Sequence, residues 1–287
     1  MEAYLNGIFL PKEEVRISPD DRGFLFADGL YEYIRSYRGR LFRLEDHIRR
    51  LNYGAEQMRF TTTDFSFLGE IAEKLLTLNA LNSAEASVYF QVTRGVAPRR
   101  HAFPLPAPGL TVYGTVSTFD EIGAARKRKS GIRAITVADC RWARCDIKAT
   151  GLTANILANQ RAVDEDAAEA IFVRDGVMLE GSHTNFMAVL DNILVTAPLS
   201  NYILGGITRK AILEICRKEN IIVAERPIFE EESCLASEMM VVGSSTEITP
   251  VIALDGQPVG DGQPGPMTRL LQHAFTREIE NLGERSL

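Results

Sequence analysis

The sequence predicts a mixed α/β chain of two domains, and three observations lead there. The chain has 287 residues, the length of one large or two ordinary domains. Helix-period and strand-like segments occur on both sides of a charged stretch, residues 120–131, that carries no apolar pattern. They mix without the strict alternation of a doubly wound sheet. The expected division is an α/β domain over residues 1–119, a linker over 120–131 and a larger domain over 132–287.

Residues 3–10 read as a strand containing an Asn6-Gly7 turn signal. Residues 44–60 read as a helix capped by Asp46, with Ile48, Leu51 and Ala55 at helical spacing. A second helix is expected over 65–81, with Phe67, Ile71, Leu75 and Leu78 on one face. Val88, Phe90 and Val92 alternate through 87–94 as in a half-buried strand; a proline-rich loop from Pro98 to Pro108 and a strand over 110–118 follow. Beyond the linker come a strand over 132–139, a helix over 150–164 and strands over 169–174 and 187–196, broken by turns at Asp175-Gly176 and Asp191-Asn192. A helix over 207–220, a buried strand over 239–242 and a hairpin around Asp255-Gly256 complete the set, with a last helix opened by Pro266 and stopped at Gly283.

Apolar residues make up 45% of the chain, ample for a buried core. A formal charge of −6 argues against a nucleic-acid partner, and the cluster Arg126-Lys127-Arg128-Lys129 reads as solvated linker. Cys140, Cys145, Cys216 and Cys234 form no CxxC pair and have no histidine spacing for zinc, so no metal is expected and the thiols read as reduced. The N-terminus has no signal-peptide pattern, and no apolar run approaches the ~20 residues of a membrane span. A soluble, cytoplasmic protein without a membrane partner is expected.

Four motifs carry chemistry, each commonplace alone. Gly205-Gly206-Ile207-Thr208 opens a helix, whose free N–H groups and dipole attract anions; most such starts are ordinary loops. Gly243-Ser244-Ser245-Thr246 follows a buried strand and offers hydroxyls to a phosphate, or is a plain serine-rich turn. Glu180, in Leu179-Glu180-Gly181-Ser182, is by default an exposed acid; facing a pyridinium nitrogen it would keep that ring protonated and electron-accepting. Lys148, in Arg144-Cys145-Asp146-Ile147-Lys148, is by default a surface lysine; partly buried near positive charge, its amine could form a Schiff base and carry protons. A lysine, an acid and a phosphate-binding helix start, in this order, are the parts needed to hold pyridoxal 5′-phosphate.

In that order and rough spacing the chain resembles the class IV aminotransferases, pyridoxal-phosphate enzymes of fold type IV. Arg50, in His47-Ile48-Arg49-Arg50-Leu51, matches the family's phosphate-contacting arginine, and Asp21-Arg22-Gly23 through Asp28-Gly29-Leu30-Tyr31-Glu32 is also the family's. The resemblance covers nearly the whole chain. It implies a smaller N-terminal α/β domain, a larger C-terminal mixed-sheet, barrel-like domain, the cofactor between them, and a homodimer. It also implies that Lys148 holds the cofactor, with Glu180, Arg50, Gly206, Ile207, Thr208, Ser244 and Ser245 as further cofactor-binding residues.

Within the family, Tyr89-Phe90-Gln91-Val92-Thr93-Arg94-Gly95 followed by Pro98-Arg99-Arg100-His101 is most like the D-amino-acid transaminases. There a tyrosine, an arginine and a histidine hold the substrate α-carboxylate; Tyr31, Arg99 and His101 match them, and the family places the Arg-His loop at the neighbouring subunit's active site. Guanidinium suits the task because it binds carboxylate in a two-pronged, charge-assisted pair. By residue type alone, Arg99-Arg100-His101 is a solvated basic loop. Trp142 matches a tryptophan of those enzymes and reads as packing. His183 and Thr184 replace serines on the substrate side, near Leu204, and Gly205 replaces a bulkier residue. The implied reaction is ping-pong transfer, through the lysine Schiff base, of an amino group from a D-amino acid to a 2-oxo acid. Alternatives on the same scaffold are a branched-chain L-amino-acid aminotransferase, which usually carries Glu-Gly-Thr-Gly where this chain has Glu180-Gly181-Ser182-His183, an (R)-amine transaminase, and an aminodeoxychorismate lyase, which would lack the full Tyr31, Arg99 and His101 set. A catalytically silent dimer is a further one.

Overall fold

A computed structural model describes residues 1–283. The chain divides into two compact units, Met1–Asp120 with Ile147–Leu152, and Glu121–Asp146 with Thr153–Leu287. The division differs from a simple N- and C-terminal split, because the stretch bearing Lys148 returns to the first unit.

The first unit contains β1 (Glu2–Leu5), β2 (Ile8–Pro11), α1 (Arg22–Phe26), β3 (Gly29–Tyr37), β4 (Arg40–Leu41), α2 (Leu44–Gln57), α3 (Leu68–Leu78), β5 (Ala86–Thr93) and β6 (Thr111–Thr118). Its strands form an antiparallel sheet in the order β2-β1-β6-β5-β3-β4. The expected first strand is a hairpin, since Asn6 and Gly7 both take positive φ, as a tight two-residue turn requires. Leu30, Ile34, Val88, Phe90 and Val92 pack against Leu51 of α2 and Leu68 and Leu75 of α3. Asp46 does not cap α2. The helix begins at Leu44 with Arg43 at its N-cap, and Asp46 instead accepts from the Arg43 and Arg49 side chains on its first turn. The buried face of α3 is Leu68, Ala72, Leu75 and Leu76, while Phe67 and Leu78 are exposed. The stripe expected from the sequence is thus rotated, because Phe67 flanks the helix and does not belong to its apolar face.

The second unit begins with α4 (Glu121–Ser130), where a linker was expected. No residue of this helix is buried, which is why it shows no apolar period; Arg128 ties it to Glu121 and, at 3.4 Å, to Glu247. Then come β7 (Ile132–Ala138), α5 (Thr153–Asp164), β8 (Glu169–Arg174), β9 (Val177–Gly181), β10 (Asn185–Leu190), β11 (Ile193–Thr196), α6 (Ile207–Lys218), β12 (Val223–Glu225), β13 (Ile228–Phe229), β14 (Glu238–Gly243), β15 (Glu247–Leu254), β16 (Gln257–Pro258) and α7 (Pro266–Glu280). The main path of this sheet is β12-β11-β10-β14-β15-β7-β8-β9-β13, and β9 also pairs with β10. That pairing closes β10-β14-β15-β7-β8-β9 into a barrel. The sheet is mixed: β7 runs parallel to β8 and β15, and most other pairs are antiparallel. Each barrel strand adds to one buried cluster, through Ala134, Ile171, Met178, Phe186, Val241 and Val251. The intervening residues Ile135, Val137, Ala170 and Phe172 face the other way, onto Ala158 and Ala162 of α5. Closure occurs at a single residue pair, Asn185 opposite Glu180.

Candidate active site

Lys148 lies in the first unit, beside the start of β3. Its carbonyl accepts from Tyr31 N–H at 3.1 Å, Ala149 bridges Leu30, and Thr150 N–H donates to the Gly29 carbonyl at 3.0 Å. Ile147, buried in the core, pins the segment from below. The side chain is half-buried, and its Nζ stands 4.3 Å from the centroid of the Tyr31 ring. Among the described residues no carboxylate pairs with it, so the amine is available for chemistry in a way a typical surface lysine is not.

Arg50 projects from α2 to Glu32 of β3, donating from Nε and Nη2, each at 2.7 Å. His47, one turn earlier, sets Nδ1 2.7 Å from the same carboxylate, and both Glu32 and His47 are buried. Burial works against the Glu32 charge, but Arg50 and then His47 outweigh it and hold the carboxyl down to about 2. Burial pushes His47 below its usual range, against the pull of Glu32. Both shifts have one sign for stability: the folded chain binds fewer protons, so stability is present above the unfolded values and lost as pH falls. For Glu32 that share is complete above 4.5 and lost toward about 2. Denaturation midpoints followed from about pH 7 to about pH 3 should therefore fall for the wild type, and Glu32→Gln should flatten the acid limb.

Arg99 and His101 are exposed on the loop after β5. Both lean on Phe26: the Arg99 guanidinium carbon is 5.1 Å from its ring centroid, and the His101 ring is 5.5 Å away. Tyr31 contacts Tyr89 at 5.9 Å and Lys148 instead. Among the described residues no hydrogen bond or ring contact joins Tyr31 to Arg99 or His101.

In the second unit, Glu180 ends β9 at the barrel closure and is buried. Its Oε2 accepts from Asn185 Nδ2 and from Leu204 N–H, both at 3.0 Å, and its Oε1 from Arg141. Arg141 is clamped by Asp139, through Nε at 2.9 Å and Nη2 at 3.1 Å, and its guanidinium lies 4.1 Å over the Phe172 ring. Burial opposes the Asp139 charge, but Arg141 and Arg174 hold that carboxyl below the usual range. So fixed, Arg141 presents a permanent cation to Glu180.

Gly206 precedes α6, and no side chain caps that helix start. A Cβ at Gly206 would lie 1.9 Å from Asn185 Oδ1, so the partner of Glu180 by itself requires glycine there. Gly205 has no such constraint: the nearest atom to its Cβ position is 3.9 Å away. Ile207 and Thr208 are buried on the first turn. Ser244 and Ser245 turn between β14 and β15, half-exposed, and their hydroxyls meet no protein partner among the described residues. This turn adjoins the β9–β10 turn, where a Cβ on Gly243 would approach the His183 carbonyl at 3.6 Å. His183 is exposed, with Nδ1 3.0 Å from Ser182 Oγ and 3.4 Å from Glu169. Thr184, by contrast, is buried and donates to Glu169 at 2.8 Å, so its hydroxyl is committed to the protein and not presented outward. Glu169 also accepts from Ser182 N–H and Oγ. The buried acids Glu32 and Glu169 and the cation Arg141 escaped sequence reasoning; each serves a residue that it flagged.

The amino-transferase class IV family model matches residues 29–254, and the D-alanine aminotransferase of Staphylococcus haemolyticus is 39% identical over 98% of both chains. The chain belongs to the class IV aminotransferases. Solved structures agree on the fold: an Escherichia coli branched-chain amino acid aminotransferase superposes with TM-score 0.88 at 26% identity, covering 96% of this chain and 93% of the other. The branched-chain aminotransferase of the thermophilic archaeon Thermoproteus uzoniensis, solved with norvaline, gives 0.83 at 26% identity, covering 99% and 96%. Class IV aminotransferases use pyridoxal 5′-phosphate, and the residues of this aminotransferase fit that group. Among the described residues it has a lysine amine outside any ion pair, a buried carboxylate backed by a fixed arginine, an uncapped helix start and two turn hydroxyls without protein acceptors. No helix among the described residues is long and apolar enough to cross a membrane, and no three His, Cys, Asp or Glu side chains there gather as metal ligands.

Proposed function

We propose that this class IV aminotransferase moves amino groups between D-amino acids, of the D-alanine or D-glutamate kind, and 2-oxo acids, by a ping-pong cycle. The observation that carries the proposal is the pair Arg99 and His101, exposed side by side on Phe26, with no carboxylate bound to either among the described residues. Such a pair suits an α-carboxylate. The D-alanine aminotransferase relative, similar over nearly its full length, supports the same choice.

Pyridoxal phosphate, when bound, supplies a carbonyl that takes the amino group and a ring that accepts the electrons left at Cα. Lys148 supplies the amine that holds the cofactor, and its Nζ then takes the proton from the substrate Cα. Glu180 keeps a proton on the ring nitrogen. Arg50, the Ile207 and Thr208 end of α6 and the Ser244 and Ser245 hydroxyls hold the phosphate. Tyr31, Arg99 and His101 fix the carboxylate, and so decide which Cα–H faces Lys148. Leu204 and His183 border the substrate side, where the committed hydroxyl of Thr184 shapes the turn. The reading includes a homodimer in which the Arg99–His101 loop serves the partner subunit, as the family resemblance implies. A cytoplasmic setting goes with it.

The solved branched-chain relatives favour a second reading, an aminotransferase for branched L-amino acids. Visible spectra of the holoenzyme separate the two. Conversion of the cofactor band by D-alanine and not by L-leucine is expected; the reverse overturns the proposal. Removal of one charge-assisted pair in Arg99→Ala should raise KM for D-alanine roughly 10- to 100-fold. An unchanged KM removes Arg99 from carboxylate binding.

A further inference from the structure

The Arg99–His101 loop rests on a buried ion cluster that has no part in the chemistry. Asp28 accepts from Arg22 Nε at 2.8 Å, and from Arg94 through Nε at 2.7 Å and Nη2 at 3.0 Å. Arg22 and Arg94 are both buried. With two guanidinium groups on one carboxylate, the cluster holds more positive charge than Asp28 alone neutralises. The surplus donors go to backbone carbonyls: Arg94 to Met58 at 2.7 Å and Arg59 at 3.1 Å, and Arg22 Nη1 to Arg100 at 2.6 Å. The last bond grips the loop between Arg99 and His101. The Arg22 backbone N–H holds the base of the same loop, donating to the Gly95 carbonyl at 2.9 Å. Its guanidinium carbon then stands 4.9 Å from the Phe26 ring, the ring against which Arg99 and His101 lean.

We propose that Arg22 is a positioning residue for substrate recognition: its bond to the Arg100 carbonyl and its contact with Phe26 set where Arg99 and His101 stand. This rests on the assignment of Arg99 and His101 to the substrate carboxylate. A charged donor on a carbonyl holds a loop more firmly than a neutral one. A carboxylate clamp displaced by a fraction of an ångström loses much of its effect. The Arg22 side chain bonds to Asp28 and to the Arg100 carbonyl and not to Lys148 or Tyr31, so its influence falls on binding and not on proton transfer.

The test is a double-mutant cycle on the holoenzyme, with Arg22→Met, Arg99→Ala and the double variant, reading KM and kcat for the amino donor. Arg22→Met should raise KM roughly tenfold while kcat and the cofactor's visible spectrum stay near wild type. Because Arg22 acts through the loop, the KM of the double variant should fall well short of the product of the two effects, exceeding that of Arg99→Ala only by the share His101 carries. Multiplying effects, an unchanged KM in Arg22→Met, or a loss confined to kcat overturns the proposal. If Arg99→Ala itself leaves KM unchanged, the carboxylate assignment has failed, and that outcome is visible in the single variant alone. Should Arg22→Met fail to fold, Phe26→Leu removes the shared ring and keeps the Asp28 cluster. The same KM rise and the same lack of multiplication with Arg99→Ala are then expected, and their absence overturns the proposal.

Discussion

Lys148→Ala should lower kcat by about 10³- to 10⁴-fold, since in the proposed cycle one residue supplies both the cofactor-holding amine and the base at Cα. The fold should survive the change. The main-chain bond from Tyr31 N–H to the Lys148 carbonyl and the bridge of Ala149 to Leu30 do not involve the side chain. The neighbouring Ile147 keeps its place in the core. The side chain is half-buried and its amine rests over the Tyr31 face, so truncation leaves no buried charge unpaired. Borohydride reduction followed by denaturation gives a readout independent of turnover. Cofactor fluorescence should stay on the wild-type chain and leave the variant, and a small exogenous amine should restore part of the lost rate. A variant that keeps both turnover and reduced cofactor would remove Lys148 from the mechanism.

The parts of this molecule legible in the sequence are those whose partners are near in the chain. The dipeptides Asn6-Gly7, Asp175-Gly176, Asp191-Asn192 and Asp255-Gly256 each carry positive φ at both residues, and each makes its turn. The strand β3 was missed. Its inward positions hold Glu32 and Ser36 among Leu30 and Ile34, and Arg35 is buried as well, so no clean apolar alternation exists. Those charges are tolerated because Arg50 satisfies Glu32 and Glu85 satisfies Arg35, partners 18 and 50 residues away. The same limit applied at the site. Lys148, Glu180 and the α6 start were found as motifs, but Arg141, which fixes Glu180 from 39 residues away, has no signature of its own. The requirement for glycine at 206 also comes from the Asn185 side chain, a contact made only once the barrel has closed. Residue types told where chemistry could occur; the supporting ions depended on pairings that only the folded sheet creates.

Glu180→Gln should lower kcat by about 10²- to 10⁴-fold while the cofactor still binds, and the reason lies in charge rather than shape. An amide fills the same space and can still accept from Asn185 Nδ2 and Leu204 N–H. What it cannot do is carry the negative charge that keeps a proton on the ring nitrogen, so electron withdrawal from Cα weakens. Arg141 loses one partner but keeps its two bonds to Asp139, which limits the stability cost that an orphaned buried cation would otherwise bring. Activity and folding should therefore separate in this variant: a near-normal thermal midpoint, a shifted visible band and slow turnover. Arg141→Met attacks the same function from behind. Glu180 remains but loses the Arg141 partner on its Oε1, and Asp139 keeps its pairing with Arg174. The kcat of Arg141→Met should fall in the same direction as that of Glu180→Gln and by less, with the visible band shifted the same way. If both variants keep the wild-type kcat and visible band, Arg141 and Glu180 serve only to close the barrel, and the protonated ring must be maintained by another group.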